Sequence, residues 1–326
     1  MLDVRTIAIE EHFRSETFRK LQASGQLGDA GRDSPLIEPV LGKLYDVGAA
    51  RLAELDAAGI EVQLLSHTPP GPEVLDSAAA VTMAREVNDE LAVIVRANPN
   101  RYAGFAMLPT PNPDAAAEEL RRAVDELGLR GAMLYGTTAG RFLDEPFFSP
   151  IFEAAERMSV PVYLHPAPPS PTVRNAYYSG FSPEVSSVLA TSAWGWHIET
   201  GLHVLRLVLS GLFDRHPNLQ VIIGHMGEAV PYMLARSDSV LSRFTQLERP
   251  VRDYFAQNIH YTNSGFFTQE PLTCLLGVIG VDRLLFAVDY PFSSNIQARQ
   301  FLDSALVSAA DREKIAHGNA EALLKI

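Results

Sequence analysis

IAIEEHF occupies residues 7–13, a β-rich apolar run that stops at two potential metal ligands, Glu10 and His12. Three other runs stop in the same manner. PVYLHP at 161–166 reaches His165, VIIGHMGE at 221–228 reaches His225, and LLFAVDYPF at 284–292 reaches Asp289. Polar residues at the carboxyl ends of several buried parallel strands are how a (β/α)8 barrel builds an active site. The recurrence predicts that fold and, with it, an enzyme.

Outward from these four runs, strand candidates fall at about 6–12, 60–67, 102–108, 130–135, 161–165, 220–224, 258–262 and 284–289. Most are continuous apolar stretches such as VQLLS, GAMLY and LQVIIG, the pattern of strands covered on both faces. Helical patterns lie between them. RLAELDAAG closes on Gly59, a glycine suited to a C-cap. DSAAAVTMAREVNDELAVIVRANP stops before Pro99, and NPDAAAEELRRAVDELG opens at Pro113–Asp114 and closes at Gly128. Strands alternating with helices require right-handed crossovers, and eight of them predict closure into a barrel.

No repeat, low-complexity tract or linker divides the chain, so residues 1–326 are expected to form one domain. Residues 14–48 and 166–190 exceed what a minimal barrel needs, and each follows a strand's carboxyl end. The expectation is a (β/α)8 TIM barrel with long βα loops that either cover the catalytic face or decorate the surface.

The 47% hydrophobic content suits a large core, and the net charge of −12 speaks against general affinity for nucleic acid or an anionic membrane. No apolar stretch is long enough to cross a bilayer, and the amino-terminal segment lacks the basic flank and apolar run of a signal peptide. The single cysteine, Cys274, permits no intrachain disulfide and suits a reducing compartment, so a cytoplasmic protein is expected. An anionic substrate stays possible, because a metal and one arginine dominate the field inside a pocket.

Glu10 and His12 are two apart on a strand and share a face, whereas Glu11 points the other way, toward helices or solvent. His165 at a strand terminus is either a ligand or a cap on backbone carbonyls. Asp289 ends an apolar strand, where an idle carboxylate would be costly; a metal, a cation or a raised pKa is required. Glu10, His12, His165 and Asp289 form an N2O2 set suited to one divalent ion, zinc or manganese ahead of magnesium, with no organic cofactor expected.

His225 and Glu228 lie three apart at a strand-to-helix turn. The carboxylate either fixes the imidazole tautomer for proton transfer or is a first-turn glutamate favoured by the helix dipole. Arg236, about two helical turns further on, reaches either a substrate carboxylate or a surface partner. Phe13, Tyr163, Tyr290 and Phe292 adjoin the ligands and are either aromatic pocket walls or core. His67 and His260, at or near strand ends, are candidates to line the pocket. His197 and His203 are six apart on one helix, face different ways and are expected to serve packing or the surface.

With these residues assembled, the chain resembles the metal-dependent decarboxylases of the amidohydrolase superfamily. The branch is that of hydroxybenzoate decarboxylases such as γ-resorcylate and 2,3-dihydroxybenzoate decarboxylase. The marks are IEEHF, YLHP, DYPF, GNAEALL and the block GWHIETGLHVLRLVLSGLFDRHPNLQVIIGHMGEAVPYMLARSD. The resemblance implies a distorted (β/α)8 TIM barrel with long βα loops covering the catalytic face, one divalent metal on Glu10, His12, His165 and Asp289, proton handling by His225 and Glu228, and substrate contact by Arg236. Tyr290 stands where many relatives carry tryptophan, which bears on pocket shape.

The implied reaction is non-oxidative decarboxylation of a small ortho-hydroxybenzoate-type acid, reversible in principle, by a homodimer or homotetramer. Protonating the carboxyl-bearing ring carbon avoids a bare aryl carbanion, and loss of CO2 then restores aromaticity. Asp289 is the expected proton donor, so the catalytic group is Asp289, His225 and Glu228. A hydrolase of a lactone or amide could share every ligand and is the alternative; a barrel that only binds is a third reading.

Overall fold

The computed structural model describes residues 4–34 and 36–326. Among the described residues nine strand segments run parallel: β1 Ile7–Phe13, β2 Val62–His67, β3 Tyr102–Gly104, β4 Ala106–Met107, β5 Ala132–Tyr135, β6 Val162–His165, β7 Val221–Ile223, β8 Ile259–Thr262 and β9 Leu284–Leu285. β3 and β4 form one wall strand interrupted at Phe105, whose N–H bonds Leu65 O on one side while Ala106 N–H bonds Gly131 O on the other. Beyond β9 the chain closes the barrel against β1, with Ile9 N–H to Phe286 O at 3.1 Å, Asp289 N–H to Glu10 O at 3.0 Å and His12 N–H to Tyr290 O at 2.7 Å. All eight expected strands are present, and the fold is the barrel the alternation predicts.

The connecting helices start and stop where their sequences direct. Asp76 caps the helix Ser77–Ala97 by accepting from Ala78 N–H and Ala79 N–H. Asn112 caps Pro113–Asp125, where proline at the first position loses no hydrogen bond. Gly59 ends Ala49–Ala58 in the left-handed conformation, φ 65°.

Alternation along the strands divides the core in two. Ile7, Ile9, Leu64, Phe105, Met133, Tyr163, Ile222, Leu285 and Ala287 fill the barrel, while Ala8, Leu65, Leu134, Leu164, Val221, Ile223, Tyr261 and Phe286 pack outward against helices. The two long βα segments are partly helical: residues 14–48 contain Glu16–Ala23 and Leu41–Tyr45, and residues 166–190 contain Pro171–Tyr177 and Pro183–Ala190. Among the described residues no helix is long and apolar enough to cross a membrane.

Candidate active site

β1 decides which acidic residue enters the barrel. Strict alternation from Ile7 and Ile9 would carry Glu11 inside and turn Glu10 and His12 out. The β1–β2 register instead slips between Ala8 and Glu11, since Ala8 pairs with Gln63 but Glu11 pairs with Leu65. One extra residue flips the parity of everything after it, the defining effect of a β-bulge. Glu10 and His12 therefore point inward, and Glu11 points toward the helices. There it is fully buried, accepting from Gln63 Nε2 and Val288 N–H at 2.8 Å each. Arg51, also fully buried, bonds Gln63 Oε1 and the carbonyl of His12 at 2.8 Å, so the outer side of β1 is held by a polar network.

Inside, ligand atoms of Glu10, His12 and His165 all lie within 4.8 Å of one another. Asp289 brings Oδ1 to 3.4 Å from His12 Nε2 and keeps its side chain one-fifth exposed, so it opens on the mouth and is not sealed in. His165 donates Nδ1–H to Pro166 O at 2.7 Å, which leaves Nε2 of the neutral ring a bare lone pair. That lone pair faces Glu10 Oε1 at 3.3 Å, and Oε1 is buried with no hydrogen-bond donor. Two acceptors turned toward each other require an electron-poor partner, and a divalent cation fits the donor set.

The other oxygen of Glu10 is spoken for. Oε2 accepts from the Tyr163 hydroxyl and from Thr262 Oγ1 at 3.2 Å. Burial and the adjacent Glu10 charge push the Tyr163 phenol well above its ordinary value, so it keeps its proton and donates. Burial opposes ionisation of Glu10, yet the neighbouring His225 charge prevails and holds its carboxyl well below the usual range. Gly224 completes this layer, because a Cβ there would lie 3.0 Å from both Glu10 Oε2 and Tyr163 Oη.

The chain after β7 does not enter a helix directly. His225, Met226, Gly227, Glu228 and Ala229 have φ of 52°, 55°, 88°, 54° and 62°, a left-handed turn that four non-glycine residues adopt at a cost. The turn places His225 Nδ1 2.7 Å from Glu228 Oε1 and His225 Nε2 3.8 Å from Glu10 Oε1. Burial would lower the His225 pKa, but the Glu228 and Glu10 carboxylates raise it to about 10. The helix-dipole reading of Glu228 therefore fails, since no right-handed first turn exists there.

Several expected site residues go elsewhere. Phe13 lies past the bulge on the outward face, 1% exposed, its ring 5.6 Å from that of His67 in the helix-facing core. Tyr290 alternates with Asp289 and also turns outward, its ring 4.5 Å beneath the Arg51 guanidinium. It lines a cavity of about 570 Å³ together with Phe292, Gly265, Lys43 and Glu54. Arg236 is exposed on the helix Val230–Leu241, which restarts after the left-handed turn that ends at Ala229. Phe292 does stand beside the ligands, 5.8 Å from the His12 ring.

His67 is buried outside the barrel between Phe13 and Phe18, donating Nδ1–H to Thr68 O. His260 faces inward but at the opposite mouth, 2.9 Å from Arg283, which directly precedes β9. His197, expected to pack or face solvent, instead brings Nδ1 to 2.6 Å from Glu228 Oε2. Phe266, not singled out from the sequence, stands 5.9 Å from His225. No local pattern marks either residue; only its place within the long GWHIETG…GHMGE block connects His197 to the turn.

A family model described as amidohydrolase matches residues 46–326. γ-Resorcylate decarboxylase from a Rhizobium species is 36% identical over 332 residues, spanning 98% of each chain. The structure of a dihydroxybenzoic acid decarboxylase from Polaromonas sp., with bound manganese and the inhibitor 2-nitroresorcinol, superposes with TM-score 0.89 at 36% identity, covering 99% of this chain and 97% of that one. 5-Carboxyvanillate decarboxylase from Sphingomonas paucimobilis superposes with TM-score 0.92 at 33% identity, covering 99% and 100%.

Proposed function

The chain belongs to the amidohydrolase family, and on that footing we propose that it is a metal-dependent, non-oxidative decarboxylase of an ortho-hydroxybenzoate-type aromatic acid. The observation that carries the reading is the meeting of two systems in one barrel mouth. A donorless Glu10 Oε1 faces a bare His165 nitrogen, and 3.8 Å away stands a histidine held by a glutamate.

Glu10, His12, His165 and Asp289 would hold one divalent ion, manganese or zinc, and the manganese of the Polaromonas relative supports the first. Bound there, the cation would supply Lewis acidity and a template for the carboxylate and its neighbouring hydroxyl. Asp289, which opens on the mouth, delivers a proton to the ring carbon that carries the carboxylate. The C–CO2 bond then breaks, its electron pair returns to the ring, and one proton is consumed for each CO2 released. His225, oriented by Glu228, handles the proton that resets Asp289. Phe292 and Phe266 wall the flat ring on the mouth side.

Strongly exposed aromatic residues, Tyr177 at 74%, Tyr232 at 82% and Phe244 at 84%, support self-association into a homodimer or homotetramer. Cys274 as the single cysteine supports a cytoplasmic setting.

The test pairs metal analysis of the purified protein with CO2 release from a panel of ortho-hydroxybenzoates. About one equivalent of metal, as a single-site motif requires, with CO2 from one panel member is the expected result. Bound metal with no CO2 would shift the reading to a hydrolase or another acid. Asp289→Asn should abolish turnover; substantial activity in the metal-loaded variant would remove Asp289 from the proton step.

A further inference from the structure

Glu228 is fully buried and is gripped from both sides. Its Oε1 meets His225 Nδ1 at 2.7 Å and its Oε2 meets His197 Nδ1 at 2.6 Å. The two imidazole rings stand edge-on with centroids 4.6 Å apart, and Phe266 contacts both at 5.7 and 5.9 Å. Four donor and acceptor atoms are thus paired as a hydrogen-bonded chain, not arranged as an open ligand cage.

The Glu228 carboxylate, which only accepts, requires a hydrogen on His197 Nδ1, and the far side of the ring accommodates either state of Nε2. Nε2 lies 3.0 Å from Ser192 O, which only accepts, and 3.1 Å from Trp196 Nε1, which only donates. A protonated Nε2 bonds the carbonyl, and a bare Nε2 takes the indole N–H. In either state Nδ1 keeps its hydrogen and donates it to Glu228. The partners around His197 therefore preserve the donor whatever charge the ring carries.

We propose that His197 is a positioning residue for the proton chemistry, acting through Glu228 to fix the ring plane of His225 and its Nδ1–H bond to the carboxylate. The assignment rests on the decarboxylase reading for its kinetic consequence but not for its geometry. With Oε2 anchored by His197, Oε1 is presented to His225 Nδ1–H, and His225 Nε2 is aimed at the barrel mouth. Without His197, Glu228 has a buried oxygen lacking a donor, and the carboxylate rotates or takes up a proton to satisfy it.

Three substitutions test this. An asparagine amide N–H falls near the position of imidazole Nδ1, whereas a glutamine amide falls near Nε2. His197→Asn should therefore keep most of the activity, while His197→Gln and His197→Ala lose kcat by on the order of 10- to 100-fold, the usual effect of losing a supporting partner. KM should stay within about twofold, because no substrate contact is removed. Manganese and 2-nitroresorcinol should bind all three variants as they bind the parent, which shows an intact site.

A second arm needs no substrate. In protein with 15N-labelled histidine, the His225 Nδ1–H should show the downfield, exchange-protected proton of a short carboxylate hydrogen bond in the parent and in His197→Asn, and should lose it in His197→Ala. Parent-like kcat or an unchanged His225 signature in His197→Ala would overturn the proposal, as would equal behaviour of the Asn and Gln variants. A parent that releases no CO2 from any panel member would fail the decarboxylase reading alone, and the spectroscopic arm would still decide the role of His197.

Discussion

Replacing His203 with glutamine should flatten the acid side of the stability profile. His203 sits on the helix Gly195–Leu209, 2% exposed, accepting Leu143 N–H at Nε2 over 2.9 Å with the Phe142 ring 5.0 Å away. Burial holds its pKa down at about 3; Asp144 pulls upward and Arg206 downward, both more weakly. In the unfolded chain the group titrates near 6.5. The unfolded state therefore binds the proton first. The stability of the neutral, buried ring is whole above about pH 6.5, is lost progressively as pH falls through that value, and stops falling near pH 3.

Integrating the linkage gives a loss of about 2 kcal/mol between pH 8 and pH 5 from this residue, with a limit of about 5 kcal/mol at the acid end. Glutamine places its Oε1 near the position of Nε2, so it retains an acceptor for Leu143 N–H and cannot titrate. Urea unfolding of both proteins at pH 8 and pH 5 measures the difference directly. His67 and His260, also held at about 3 by burial, add the same acid loss to both and cancel. The parent should lose about 2 kcal/mol more than His203→Gln. Equal losses would refute the assignment of a neutral buried imidazole at this position.

Two further predictions concern the layer beneath the ligands. Tyr163→Phe removes a hydroxyl donor from Glu10 Oε2 and should weaken manganese binding roughly 10- to 100-fold while the fold persists; calorimetric titration with unchanged affinity would contradict that. Gly224→Ala inserts a methyl 3.0 Å from both Glu10 Oε2 and Tyr163 Oη, so Glu10 must shift by a few tenths of an ångström. Metal affinity and turnover should both fall with little change in melting temperature, and a variant indistinguishable from the parent would mean the layer yields without moving Glu10.

Much of this protein could be read without coordinates. Most buried strands are largely apolar runs, because a parallel barrel is covered on both faces, and several helices carry their own caps. Those local signals determined the barrel, its strands and the candidate ligands His165 and Asp289, since chemistry in this fold gathers at strand ends. Glu10, His12, His225 and Glu228 were legible as residue types in the right places.

Which way side chains point was another matter, because direction depends on local departures that composition does not encode. A single-residue bulge in β1 exchanges Glu11 for Glu10 at the barrel centre and sends Phe13 into the outer core. Five consecutive left-handed residues aim His225 at Glu10 and interrupt the helical count between Glu228 and Arg236. His197 meets Glu228 from 31 positions away because the helix that carries it packs against that turn. Alternation propagates direction only while the register is unbroken, and contacts between distant segments are set by packing; the sequence by itself determined the fold and the ligand types, and tertiary structure alone decided their aim.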